Sequence, residues 1–116
     1  HPVAHSFPTR RSSDLDFRRG HDGLAALAQN ELGLDPHSGA VIVFRSKRGD
    51  RIKVLVWDGS GMVLVYKRLE EGKFAWPAIR DGVMRLSRAQ FEALFDGLDW
   101  RRVYGPRRVR RPTAAE

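Results

Sequence analysis

Apolar positions follow three different rhythms along this chain. Leu24, Leu27, Ala28 and Leu32 recur at i, i+3, i+4 and i+8, the stripe of an amphipathic helix that begins near Asp16. Gly33 then supplies a C-cap, while Gly20 and Gly23 each weaken the first turn by about 1 kcal/mol against Ala. Asp35-Pro36-His37-Ser38-Gly39 makes a turn-rich connector. From Ala40 to Trp76 the rhythm changes to β-rich runs separated by glycine-containing turns: Ala40–Ser46, Arg51–Trp57, Met62–Leu69 and Lys73–Trp76, the last stopped by Pro77. Ile52, Val54 and Val56 share one face of the second run, and Lys53, Leu55 and Trp57 the other. That second face is also partly apolar and needs a cover.

The third rhythm supplies it. Ser87 with Gln90 three residues on spells a capping box, and Leu86 with Phe91 has the spacing of a hydrophobic staple. Phe91, Leu94, Phe95 and Leu98 then form one apolar stripe, expected to lie on the sheet. The pattern predicts an α+β domain: a small antiparallel meander of three to four strands, an N-terminal and a C-terminal helix, and a disordered basic tail over 101–116.

Bulk properties narrow the classes. At 116 residues the chain is one small domain, and 41% hydrophobic with 30% charged residues fits a soluble, folded protein. No apolar run is long enough to span a bilayer, and the first residues lack the apolar centre of a signal peptide, so no membrane association is expected and the cytoplasm is the expected compartment. Zero cysteines exclude disulfides, thiolate nucleophiles and cysteine zinc sites, in keeping with a reducing compartment. The net charge of +7 is unevenly placed: residues 1–15 carry +1, residues 16–100 carry +1 and residues 101–116 carry +5. A near-neutral body with a basic arm points to an anionic partner, nucleic acid before membrane because the arm has few apolar anchors.

No catalytic constellation emerges. Asp50, Asp58, Glu70 and Glu71 fall in predicted hairpin turns, where carboxylates serve turn chemistry and solubility. His21 and His37 have no second ligand at a metal spacing, and Gly59-Ser60-Gly61 is too short for a phosphate loop. Arg48-Gly49-Asp50 is a turn, and Ser87 is accounted for by its cap. The expectation is therefore no enzyme, no cofactor, no metal and no small-molecule substrate. The basic residues are more informative. Arg45, Lys47, Arg48, Arg51 and Lys53 crowd the first hairpin, with Lys67, Arg68 and Lys73 on later segments. Together with Arg101, Arg102, Arg107, Arg108, Arg110 and Arg111 of the tail, the first-hairpin set is the candidate phosphate-contact surface. Trp57, Tyr66, Phe74 and Trp76 would offer stacking platforms only if exposed, and core positions are the expectation.

Seven blocks carry a resemblance: Asp16-Phe17-Arg18-Arg19-Gly20-His21-Asp22-Gly23-Leu24, Asp35-Pro36-His37-Ser38-Gly39, Phe44 to Lys53, Trp57-Asp58-Gly59-Ser60-Gly61, Lys67-Arg68-Leu69-Glu70, Phe74-Ala75-Trp76-Pro77 and Gly97-Leu98-Asp99-Trp100. In order and spacing they resemble the TnpB accessory proteins of insertion-sequence-66 type bacterial transposons, from Asp16 to Trp100. The resemblance implies a non-catalytic helper of a separate, element-encoded transposase, which is the implied partner alongside DNA. An adaptor that meets the transposase without touching nucleic acid is the alternative. The family implies no active-site residues.

Residues 1–15 stand apart. Where the family has a short apolar segment, this chain has HPVAHSFPTRRSSDL, and His5 to Leu15 back-translates to a widely used short-read sequencing adaptor. Residues 1–15 are thus expected to be translated adaptor, 16–100 the family domain without its first strand, and 101–116 the tail. The expected consequence is an unpaired sheet edge.

Overall fold

The computed structural model describes residues 7–11, 14–76 and 84–103. Among the described residues, five strands and two longer elements of helix make three layers. β1 is Phe7–Arg11, β2 Ile42–Arg45, β3 Arg51–Trp57, β4 Met62–Arg68 and β5 Met84–Leu86, in the sheet order β4-β3-β2-β1-β5. The β2-β3-β4 meander is antiparallel, with Val43 opposite Val54 and Val54 opposite Val65. β1 runs parallel to β2 and antiparallel to β5.

A one-turn helix α1, Asp14–Phe17, leads into α2, His21–Leu32. Gly33 ends α2 in the left-handed region, at φ 63°, and its amide and that of Leu34 both return to the Ala28 carbonyl. Helix α3, Arg88–Phe95, starts at Ser87, whose hydroxyl accepts from the Gln90 amide while the Gln90 side chain accepts from the Ser87 amide. A 3₁₀ turn follows at Trp100–Arg102.

The two helices cover opposite faces. Phe17, Leu24, Leu27 and Ala28 pack on Ile42, Phe44 and Leu55. Ala93, Leu94 and Trp100 pack on Val43, Ile52 and Val54, with Phe74 and Leu86. The α+β class and the meander between two helices agree with the pattern of the sequence. The second face of β3 is, however, covered by the N-terminal helix, and the C-terminal helix takes the Ile52 face.

Three further expectations need correction. Lys73–Trp76 is not a strand: the Phe74 amide makes one bond to the Gly49 carbonyl, and the Phe74 and Ala75 carbonyls accept from the Arg45 guanidinium and the Trp100 indole instead of a ladder. Leu98 is 59% exposed, because α3 stops at Phe95 and Gly97 turns the chain away at φ 78°, leaving Ala93 and Leu94 as its buried pair. The lack of a first strand predicts an unpaired sheet edge, but β1 pairs with β2 on one side and with β5 on the other.

Candidate nucleic-acid interface

The β2–β3 turn concentrates cations because its backbone is closed locally, leaving long side chains to project. Ser46 accepts at its carbonyl from Gly49 and at its hydroxyl from the amides of Gly49 and Arg51, at 3.2 and 3.3 Å. Gly49 has φ 85°, and a Cβ there would collide with the Arg45 guanidinium crossing behind it. Lys47 and Arg48, at the tip, are exposed.

The predicted contact residues divide. Arg45 turns inward, donating to the Phe74 carbonyl at 3.1 Å and lying 5.7 Å from the Trp76 ring centre. Lys53 is 7% exposed, and this corrects its assignment to a phosphate-facing surface. Its ammonium donates to the carbonyls of Phe17 and Arg19 and sits between the Phe17 and Tyr66 rings at 4.9 and 5.2 Å. Burial pulls its pKa below the usual lysine value. It is an internal clamp joining β3 to the α1–α2 joint. Arg51 donates to the Tyr66 hydroxyl at 3.0 Å, with its Nε 4.0 Å from Asp50.

Arg101 and Arg102 are exposed, and both are close to Asp99, at 2.8 and 3.9 Å. The hydrogen bond from the Arg101 side chain, above all, holds the Asp99 carboxyl below its usual range. Arg107, Arg108, Arg110 and Arg111 lie outside the described residues. The 3₁₀ turn before them is tied to the hairpin by contact: Trp100 donates to Ala75, and the neighbouring Phe74 donates to Gly49.

Sequence reasoning missed Arg18. It follows α1 and lines a cavity of about 240 Å³ together with Phe17, Ser46, Arg48, Asp50 and Arg51. Two segments 28 positions apart in sequence meet there, and only the fold brings them together. Among the described residues, Arg18, Lys47 and Arg48 have no acidic partner, which separates them from Arg19, bonded to Asp16 at 3.1 Å.

Elsewhere the polar groups serve structure. Asp58 accepts from the Ser60 amide, the Gly61 amide and the Ser60 hydroxyl, which holds its carboxyl below the usual range and closes the β3–β4 turn. His37 packs edge-on against Trp57, 5.1 Å between ring centres. Phe74 is in the core, whereas Tyr66 is 52% exposed with its ring edge against Phe17. Among the described residues no helix is long and apolar enough to cross a membrane.

Comparison with known proteins agrees with the blocks quoted above. The model of the family described as IS66 Orf2-like protein matches residues 11–105. Uncharacterized protein y4jC of Sinorhizobium fredii (strain NBRC 101917 / NGR234) is 50% identical over 99 residues, covering 85% of this chain and 84% of the relative. Uncharacterized protein y4hO of the same strain is 41% identical over 98 residues, covering 84% and 83%. No solved structure matches the chain. The family model takes in the β2-β3-β4 meander, its two helices and the cationic hairpin, and the chain belongs to the IS66 Orf2-like family.

Proposed function

We propose that this protein is a non-catalytic accessory factor of an insertion-sequence transposition system, assisting a separate transposase by holding DNA through its phosphates. The observation that carries the reading is the gathering of Arg18, Lys47, Arg48 and Arg51 at one hairpin end, three of them without an acidic partner among the described residues. Flexible cations on a turn meet phosphates without reading base edges, which requires a helix or ribbon seated in a groove. The basic tail adds contacts to the same partner, starting from a 3₁₀ turn whose Trp100 donates to Ala75, next to the Phe74 that bonds Gly49 of the hairpin.

The test is a fluorescence-anisotropy titration of the full chain against duplex DNA carrying the element's terminal repeat and against a scrambled duplex. Affinity that ignores sequence and falls steeply between low and physiological salt is the expected result. Replacing Arg107, Arg108, Arg110 and Arg111 with Ala should weaken binding and flatten the salt slope by about one per lost contact. Absence of binding at low salt by folded protein would overturn the reading.

A second reading has its own observation. β4 is an edge strand carrying Val63 and Val65 at 37% and 38% exposure, a surface suited to pairing with a strand of the transposase. Capture of the transposase that survives high salt, and that Val63→Lys with Val65→Lys abolishes, would favour this adaptor role.

A further inference from the structure

The cavity at the hairpin end differs from an ordinary basic patch in what lies beneath its arginines. Ser46 is 6% exposed and forms part of the wall. Its hydroxyl oxygen already accepts two backbone amides, so its own hydrogen remains to donate, with no acceptor among the described residues. Arg51 Nε is buried without a hydrogen-bond partner, held only by its ion pair with the Asp50 carboxylate 4.0 Å away. Buried polar atoms left open in this way are costly unless a ligand or water completes them. The donors around the space are guanidiniums, whose planar forks match tetrahedral oxyanions.

We infer that this cavity is a socket for a single phosphate group, with Arg18, Arg48 and Arg51 supplying guanidinium donors and Ser46 a hydroxyl donor. The inference deepens the proposed DNA contact by naming the site where one phosphate is seated. Three guanidiniums and one carboxylate line the space, so its field is net positive and attracts an anion. A volume of about 240 Å³ is below the roughly 300–1,000 Å³ of drug-sized sites, leaving room for a phosphate and its adjoining sugar, whose carbons would meet the Phe17 side of the wall. The site is also held in shape. Lys53 bonds the carbonyls of Phe17 and Arg19, the residues on either side of Arg18, and so fixes that backbone against the sheet. Lys53 is a positioning residue and touches no ligand itself.

The experiment is an NMR titration of the full-length, isotopically labelled protein with inorganic phosphate, run beside the DNA anisotropy measurement. Saturable amide shifts confined to 17–19 and 46–51 are expected. Arg18→Ala with Arg48→Ala, both exposed positions that leave the core intact, should abolish those shifts and weaken duplex binding about tenfold at low salt. Arg88→Ala, on the opposite face, should keep them. Persistence of the shifts in the double variant, or their scatter over the other basic residues, would overturn the socket. If the double variant loses phosphate but not DNA, the socket is not the DNA contact, although the DNA reading stands. If wild-type protein binds phosphate here but no duplex, the DNA reading falls and the socket remains. Duplexes with 5′-phosphate and 5′-hydroxyl ends separate the sources: stronger competition by the phosphorylated ends assigns a terminal monoester, and equal competition assigns backbone diesters.

Discussion

Lys53 is the residue whose role depends most on its surroundings. In the sequence it stands among four other cations and reads as part of a basic surface, yet its ammonium is buried against two carbonyls and two aromatic rings. Lys53→Ala leaves both acceptors unsatisfied and should lower the free energy of unfolding by about 2 kcal/mol, measured by urea denaturation. The pH dependence has a definite sign. Folding lowers the pKa of Lys53 below the ordinary lysine value of 10.5, so between the two values the unfolded chain holds the proton and the folded chain does not. Stability attributable to this group therefore rises with pH across that window. Comparing wild type with Lys53→Met over it should show the rise only in wild type. Alternation along β3 told which face Lys53 shares with Leu55, but not that a helix joint would close over it.

At the scale of elements, local chemistry was the most legible. The capping box at Ser87 and Gln90 depends on groups three residues apart, and it is present as the spacing requires. Ser87→Ala should cost about 1 kcal/mol in thermal or urea unfolding, with loss of helicity at the start of α3. The turns at Ser46–Arg51 and Asp58–Gly61 are similarly local. Lys73–Trp76 shows the limit of such reading. Its alternating aromatics have strand-like composition, but a strand is defined by a neighbour's ladder, and here the carbonyls are taken by Arg45 and Trp100 from distant segments. Leu98 likewise continues a helical period past the point where Gly97 ends the helix.

For the whole molecule, β1 links the meander to β5 by main-chain bonds on both sides. Those bonds come from the backbone, which any extended segment without too many prolines can supply, so residue pattern was a poor guide to who occupies this position. A chain lacking residues 1–11 would bare the edges of β2 and β5. Its unfolding midpoint by circular dichroism should fall by roughly 10 °C or more, since even ~2 kcal/mol is worth that in a domain of this size. An unchanged midpoint would show that β1 contributes nothing to stability.

The sequence alone determined whatever rests on near neighbours: the two amphipathic helices, the β2-β3-β4 meander with its turns, the cap at Ser87, and the crowding of positive charge at the first hairpin. Those features depend on side-chain period and on hydrogen bonds that span a few residues. Tertiary structure alone decided which helix covers which face, which cations point outward, and that Arg18 joins Arg48 and Arg51 around one cavity. Each of these turns on the packing of segments far apart in the chain, and a linear pattern does not record distance in space.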